Sequence, residues 1–206
     1  MKIEKEHLHL AENIIDIYKK HGKAWTELRG EQLYEKKWLD QFLALLPNNS
    51  KVLDLGCGSG KPIADYLIQH GHNLTGVDSS NIMISMARLN FPQHCWVEAD
   101  MRKVNLNEKF LGLLAWDSFF HLTPNSQRNM FKQFVSFAQK GTVLMFTSGP
   151  TEGEAIGDMF GDALYHSSLS QEEYRSLLIQ SGFELMMMAV EDIECAEHTV
   201  WLAKKV

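Results

Sequence analysis

The run Val52-Leu53-Asp54-Leu55-Gly56-Cys57-Gly58-Ser59-Gly60 constrains this chain more than any other nine residues. A short apolar run ending in closely spaced glycines, followed by Ile63, Tyr66 and Leu67 at helical spacing, reads as a buried strand, a sharp turn and a helix. Glycine permits the turn and lets a ligand approach the backbone, and a helix N-terminus carries partial positive charge. Units of the same kind follow. The strand-like stretch 73–77 leads into a helix near 81–89, opened by Ser79 or Ser80 as a cap. Strands are expected at 95–99, 111–116 and 142–147, with a helix near 125–138 between the last two. A helix near 170–180 begins with Ser170 and Glu173 in a capping-box pattern. The runs 183–190 and 198–204 lie close enough to pair as antiparallel strands. Alternating strands and helices with continuous apolar runs predict an α/β, doubly wound fold, its mostly parallel sheet covered on both faces.

Before this core, residues 1–50 read as a helical cap. Leu10, Ile14, Ile17 and Tyr18 give one helix over 8–20, and a second spans about 31–46 until Pro47 stops it. After the core at 51–147, the stretch 148–169 carries Gly149, Gly153, Gly157 and Gly161. Glycine at that density disfavours helix by about 1 kcal/mol each, so an ordered, lid-like coil is expected. Residues 170–206 complete a single domain of 206 residues.

Net charge is −6, and residues 151–206 alone carry 11 acids against 3 bases, so no broad basic surface is available to nucleic acid. Cys57, Cys95 and Cys195 are odd in number and widely spaced, which reads as reduced thiols in a cytoplasmic protein, with neither a disulfide framework nor a zinc site. The charged opening MKIEKEHLHLAE is unlike a secretory signal, and no apolar run has the length of a membrane span. His70 and His72, one residue apart, are expected in a solvated turn, and Met186, Met187 and Met188 in the sheet core.

Three ligand classes compete for the glycine loop. A phosphate-binding P-loop needs glycine at position 55 and Ser or Thr after Lys61, where this chain has Leu55 and Pro62. A dinucleotide fingerprint needs glycine where Lys61 stands, and Asp54 would face the pyrophosphate as a like charge. Asp54, Asp78, Asp100 and Asp117 all fall at or near the carboxyl ends of successive expected strands, where open α/β sheets bind ligands. Taken singly, each could simply cap a helix or turn. Together they suit a ligand with an adenosine, no phosphate and a cationic centre, and S-adenosyl-L-methionine is such a ligand. Asp78 is placed to accept from ribose hydroxyls.

The stretch 51–147 resembles the core of class I S-adenosylmethionine-dependent methyltransferases, and 148–206 continues the pattern. That resemblance implies a Rossmann-like sheet of seven strands, the last antiparallel. VLDLGCGSG resembles the family's first motif, with Asp54, Gly56, Cys57 and Gly58 lining the methionine portion. VDSS resembles the second, which implies Asp78 and Ser79 at the ribose and Met83 near adenine. EADM resembles the third, with Asp100 taking the adenine amine and Met101 beside it. AWDSFFHL resembles the fourth, with the Trp116 carbonyl on the cofactor ammonium and Asp117 and Ser118 toward the acceptor. Lys61-Pro62 departs from the usual small hydroxyl residue and helix former. Phe120-His121-Leu122 resembles a hydrophobic-His pattern of small-molecule methyltransferases, whereas the NPPY-type and double-Glu motifs of polymer-modifying relatives are missing.

The implied reaction is in-line methyl transfer to an oxygen, nitrogen or sulfur nucleophile of a small molecule, leaving S-adenosyl-L-homocysteine, by a monomer or homodimer. Alignment would supply much of the catalysis, with a base required only if the acceptor loses a proton early. His121, Asp117, Tyr165 and His166 are the candidates on the acceptor side. Between the two N-terminal helices, Arg29 could pair with the methionine carboxylate, with Trp25 and, on weaker grounds, Tyr18 walling the pocket. A non-catalytic cofactor-binding sensor or partner subunit and an NAD-dependent oxidoreductase are the rival readings.

Overall fold

The computed structural model describes residues 7–206, so the first six residues of the charged opening lie outside the described residues. The chain begins with α1 (Leu8–Arg29) and α2 (Lys36–Ala44). Both differ from expectation. α1 runs nine residues beyond the expected end because Gly22 packs its bare Cα against Met83 instead of breaking the helix. It stops at Gly30, whose φ of 63° supplies the left-handed turn. Trp25 and Arg29 therefore sit on α1 itself, not between two helices. α2 starts only at Lys36, and residues 30–35 form an irregular link.

The core then alternates β1 (Lys51–Leu55), α3 (Ile63–Gln69), β2 (Asn73–Asp78), α4 (Asn81–Asn90), β3 (Cys95–Glu98) and β4 (Phe110–Ala115). A single 3₁₀ turn, α5 (Pro124–Phe137) and β5 (Ala138–Ser148) follow. The last part holds β6 (Gly153–Met159), β7 (Asp162–Ser168), α6 (Gln171–Gln180), β8 (Phe183–Asp192) and β9 (His198–Lys205).

Seven strands make one sheet in the order β3-β2-β1-β4-β5-β9-β8. β1 to β5 are parallel, and β9 runs antiparallel to both β5 and β8. Successive side chains of a strand face opposite sides, and here both sides are buried. Leu53, Leu55, Leu113, Leu144, Phe146 and Trp201 pack under α5 and α6. Val52, Leu74, Leu114, Met145 and Leu202 pack under α2, α3 and α4. The doubly wound expectation holds, and chain order reverses between β1 and β4.

Two local expectations fail. The glycine-spaced stretch is a β-hairpin of β6 and β7, paired from Gly153–Ser168 to Met159–Asp162 and turning at Phe160-Gly161. Gly157 sits where cross-strand space is short, since a Cβ there would approach the His166 ring to 3.2 Å. Met186 and Met187 lie on the edge strand β8, 43% and 40% exposed, and are not core. In addition, Ser170 caps α6 by accepting from the Glu173 N–H, but the Glu173 carboxylate reaches Arg128 instead of closing the box. His72 is buried with Nδ1 unpartnered, so only His70 occupies the solvated position.

Candidate functional site

The reversal of strand order opens a crevice between the loops after β1 and β4. Gly56, at φ 85°, makes the crossing possible: a Cβ there would lie 2.2 Å from that of Ser118. Ser118 Oγ donates to the Leu55 carbonyl at 2.6 Å, tying the two loops together. Gly58, at φ 55°, has nothing within 4 Å of where a Cβ would stand, so its backbone is bare to the cavity. Its N–H donates to Asp78 Oδ2 at 3.0 Å, and the Ser80 N–H donates to Oδ1 at 2.8 Å. Ser80, rather than Ser79, caps α4.

The cavity is lined by Asp54, Cys57, Asp78, Ser79, Met83, Asp100, Met101, Trp116 and Asp117 from the core. These are among the residues expected at the site. α1 forms the opposite wall through Ile14, Tyr18, Trp25 and Arg29. It is held there by Ile17 against Met159 and Leu164 of the hairpin, and by Lys20 and His21 on Asp162 at 2.8 and 2.7 Å.

Electrostatics separates the carboxylates. Burial, then the neighbouring charge of Asp78, pushes Asp54 up to about 7. Asp78 is also raised by burial, against the three backbone N–H groups that favour its charge. Burial also works against Asp100, but the fork of Arg102, at 2.9 and 2.6 Å, more than offsets it and lowers its pKa.

Asp117 has φ 44°, a left-handed conformation that Asp tolerates better than most residues. Its N–H donates to Thr147 Oγ1, and its carboxylate meets His198 Nε2 at 2.9 Å. His198 Nδ1 donates to the Cys195 carbonyl at 2.6 Å and its ring stacks on Trp116. With both ring nitrogens donating, it is an imidazolium. Burial opposes that charge, but Asp117, the Cys195 carbonyl and Glu35 carry its pKa to about 9. His198 was not anticipated. The signal was available: an antiparallel last strand brings its first residues, not its last, to the carboxyl ends of the parallel strands.

His121 is buried, and its Nδ1–H donates to the Tyr165 carbonyl at 2.8 Å. That fixes the tautomer, so Nε2 accepts from the Tyr18 hydroxyl at 3.0 Å. Burial first, then His166, lowers His121 to about 4, so it is neutral at pH 7. Burial also raises the Tyr18 pKa. The other two acceptor-side candidates stand back from the cavity. Neighbouring residues of a strand point to opposite faces, and the Tyr165 hydroxyl turns to Glu154 while His166 stacks on Phe120 and His121. Tyr165 reaches the site through its carbonyl, not its ring.

Glu35, in the link before α2, was also not anticipated, because that link was read as helix. It lines the cavity and accepts from Arg29.

Residues 52–141 match the family model described as a methyltransferase domain. The chain is 28% identical over 173 residues to YqeM of Bacillus subtilis (strain 168) and 26% identical over 182 residues to an O-methyltransferase of Pyrenophora dematioidea. Each alignment covers 80% of this chain but only 66% and 64% of those proteins, so the chain spans about two thirds of their length. Among solved structures, magnesium protoporphyrin IX methyltransferase of Synechocystis PCC 6803 superposes with a TM-score of 0.75 at 17% identity, over 96% of this chain and 97% of that one. Both share one fold.

Proposed function

We propose that this chain, whose residues 52–141 match a methyltransferase-domain model, is a class I enzyme that transfers a methyl group from S-adenosyl-L-methionine to an oxygen, nitrogen or sulfur nucleophile of a small molecule. The observation that carries the reading is the charge of the cavity. Asp54, Asp78, Asp100, Asp117 and Glu35 line one volume with Arg29, Lys61 and Arg102, an excess of acids that suits a sulfonium and an ammonium and disfavours a pyrophosphate. The same charge speaks against the NAD reading. The bare backbone of Gly58 and an unpartnered oxygen of Glu35 offer further places that fit such a ligand.

In this reading Asp54 and the Gly56–Gly58 backbone hold the methionine portion, and the Trp116 carbonyl takes its ammonium. Asp78 and Ser79 hold the ribose, and Met83, Asp100 and Met101 the adenine. Trp25 and Arg29 close the methionine end from α1. When bound, the cofactor supplies an electrophilic methyl group. The chain's residues align the acceptor and manage its proton. Tyr18 donates to the neutral His121, so its oxygen is free to accept from an acceptor O–H or N–H. As that proton reaches Tyr18, the Tyr18 proton passes to His121 Nε2, and the Tyr165 carbonyl and the Asp117 charge stabilise the imidazolium. Asp117, held by His198, faces the same side.

No helix of the described residues is long and apolar enough to cross a membrane. A cytoplasmic setting, as monomer or homodimer, fits three free cysteines.

Calorimetric titration with S-adenosyl-L-homocysteine and, separately, NAD tests the proposal. Micromolar one-to-one binding of the former and none of the latter is expected. Binding of NAD alone would overturn it. Binding without any turnover in a labelled-methyl screen of small nucleophiles would favour the sensor reading.

A further inference from the structure

Glu35 is only 1% exposed, yet it lines the cavity. Its Oε1 accepts from Arg29 Nη2 at 2.5 Å, and its Oε2 has no hydrogen-bond partner. A buried carboxylate oxygen without a partner is costly, and such groups in folded proteins call for a specific reason. A mere salt bridge to Arg29 does not give one, since the second oxygen could have been left in water.

The link between α1 and α2 is built around this pair. Gly30 turns the chain, and the Arg29 guanidinium donates to the Gln32 carbonyl at 2.8 Å and lies over the Tyr34 ring at 5.2 Å. Arg29 is thus clamped on its own link while its side chain keeps 18% exposure beside the cavity. Of the other cations lining the cavity or acting on Glu35, His198 is paired with Asp117, Lys61 with Glu31 and Arg102 with Asp100. An orphan anionic oxygen and a cationic fork stand side by side on one cavity wall. The chemical complement of that arrangement is a zwitterion carrying an ammonium and a carboxylate on one carbon.

We propose that Glu35 is a ligand-binding residue that receives the α-ammonium of the cofactor's amino-acid end on Oε2, while Arg29 takes its carboxylate. The inference rests on the cofactor reading above and adds a residue from outside the glycine loop and its companion motifs. It also assigns the pair a discriminating role. A ligand that ends in phosphate meets Glu35 as a repulsion, and one that lacks the amino acid leaves Oε2 unpaired.

The test is a cycle of titrations on the full chain. Wild type and Glu35→Gln are each titrated with S-adenosyl-L-homocysteine, with its analogue lacking the α-amino group, and with 5′-methylthioadenosine, which lacks the whole amino-acid end. In wild type, the deaminated analogue is expected to bind at least about tenfold more weakly than the parent. In E35Q the parent weakens by a similar factor, the preference for the amino group collapses, and 5′-methylthioadenosine binds as in wild type. Equal loss of all three ligands in E35Q would make Glu35 merely structural and overturn the inference. An undiminished preference for the amino group in E35Q would overturn it as well. Should E35Q not fold, wild type decides alone: equal affinity for the parent and the deaminated analogue rejects an ammonium acceptor. Wild type that binds none of the three rejects the cofactor reading itself, a result distinct from each of these.

Discussion

Asp54 sits on β1 with its carboxyl enclosed and raised to about 7, against about 4 for a carboxyl in water. The sign follows from linkage. A group whose folded pKa is raised stabilises the fold fully below its unfolded value, and that contribution is lost as pH rises toward the folded value. The ligand-free protein therefore loses stability between about pH 4 and 7 on account of this residue. Asp54→Asn is expected to flatten that decline, and to raise the melting temperature at pH 8 by roughly 2–4 °C per kcal/mol of relieved desolvation. It should at the same time weaken S-adenosyl-L-methionine binding. Thermal melts across pH with and without ligand check both halves, and a variant that loses both stability and binding would refute the account. At this scale the sequence was informative where a residue sits in a motif and silent where chain direction or a link decides. Asp54, Asp78 and Asp117 reach the cavity from the strand ends at which they were read, and His121 reaches it from the pattern that the resemblance supplied. His198 and Glu35 do not belong to any spacing pattern. One arrives because β9 runs antiparallel, and the other because helix α2 starts five residues late.

Among the elements, α1 changes the picture most. Its inward side chains form one wall of the cavity, and Tyr18 extends from it to His121. In the proposed reaction α1 thus delivers the hydroxyl that stands between an acceptor and the imidazole. Tyr18→Phe removes that hydroxyl while keeping the ring that packs at 6.4 Å on Trp25. With an acceptor in hand, kcat is expected to fall about 10- to 100-fold, with S-adenosyl-L-homocysteine affinity within about twofold of wild type. Steady-state kinetics beside calorimetry separates the two, and an unchanged kcat would remove Tyr18 from the reaction. The apolar stripe showed that a helix lies here, but not how far it runs, because Gly22 and the polar residues around it mask the continuation until Met83 is seen against them. The hairpin was harder still. Its strands β6 and β7 carry glycines and acids in place of the β-branched and aromatic residues that mark strands, and cross-strand pairing against α1 overrides that composition.

For the molecule as a whole, the two-faced burial of the sheet was the most legible property, since apolar runs without alternation admit few other arrangements. The α5 and α6 side is unusually aromatic: Phe119, Phe131, Phe134, Phe146, Tyr174 and Trp201 form one contiguous packing, with Phe146 and Trp201 stacked at 5.8 Å. This mass lies on the face of the sheet opposite the Asp54 side chain. Phe146→Ala should cost about 3–5 kcal/mol in urea unfolding while ligand affinity at permissive temperature changes little. A large affinity loss in a folded F146A protein would mean that the two faces are not independent. The exposed methionines of β8 mark the limit of pattern reading at this scale. An apolar run identifies a strand, but only the strand order reveals that β8 is an edge.

α1 is at once a cover for the cavity and a supplier of Tyr18, and that double duty imposes an order of events. In the proposed reaction the acceptor side is complete only with Tyr18 of α1 in place at His121. An ordered cycle, with the methyl donor seated first and its spent form released last, is therefore expected, and product-inhibition kinetics check it.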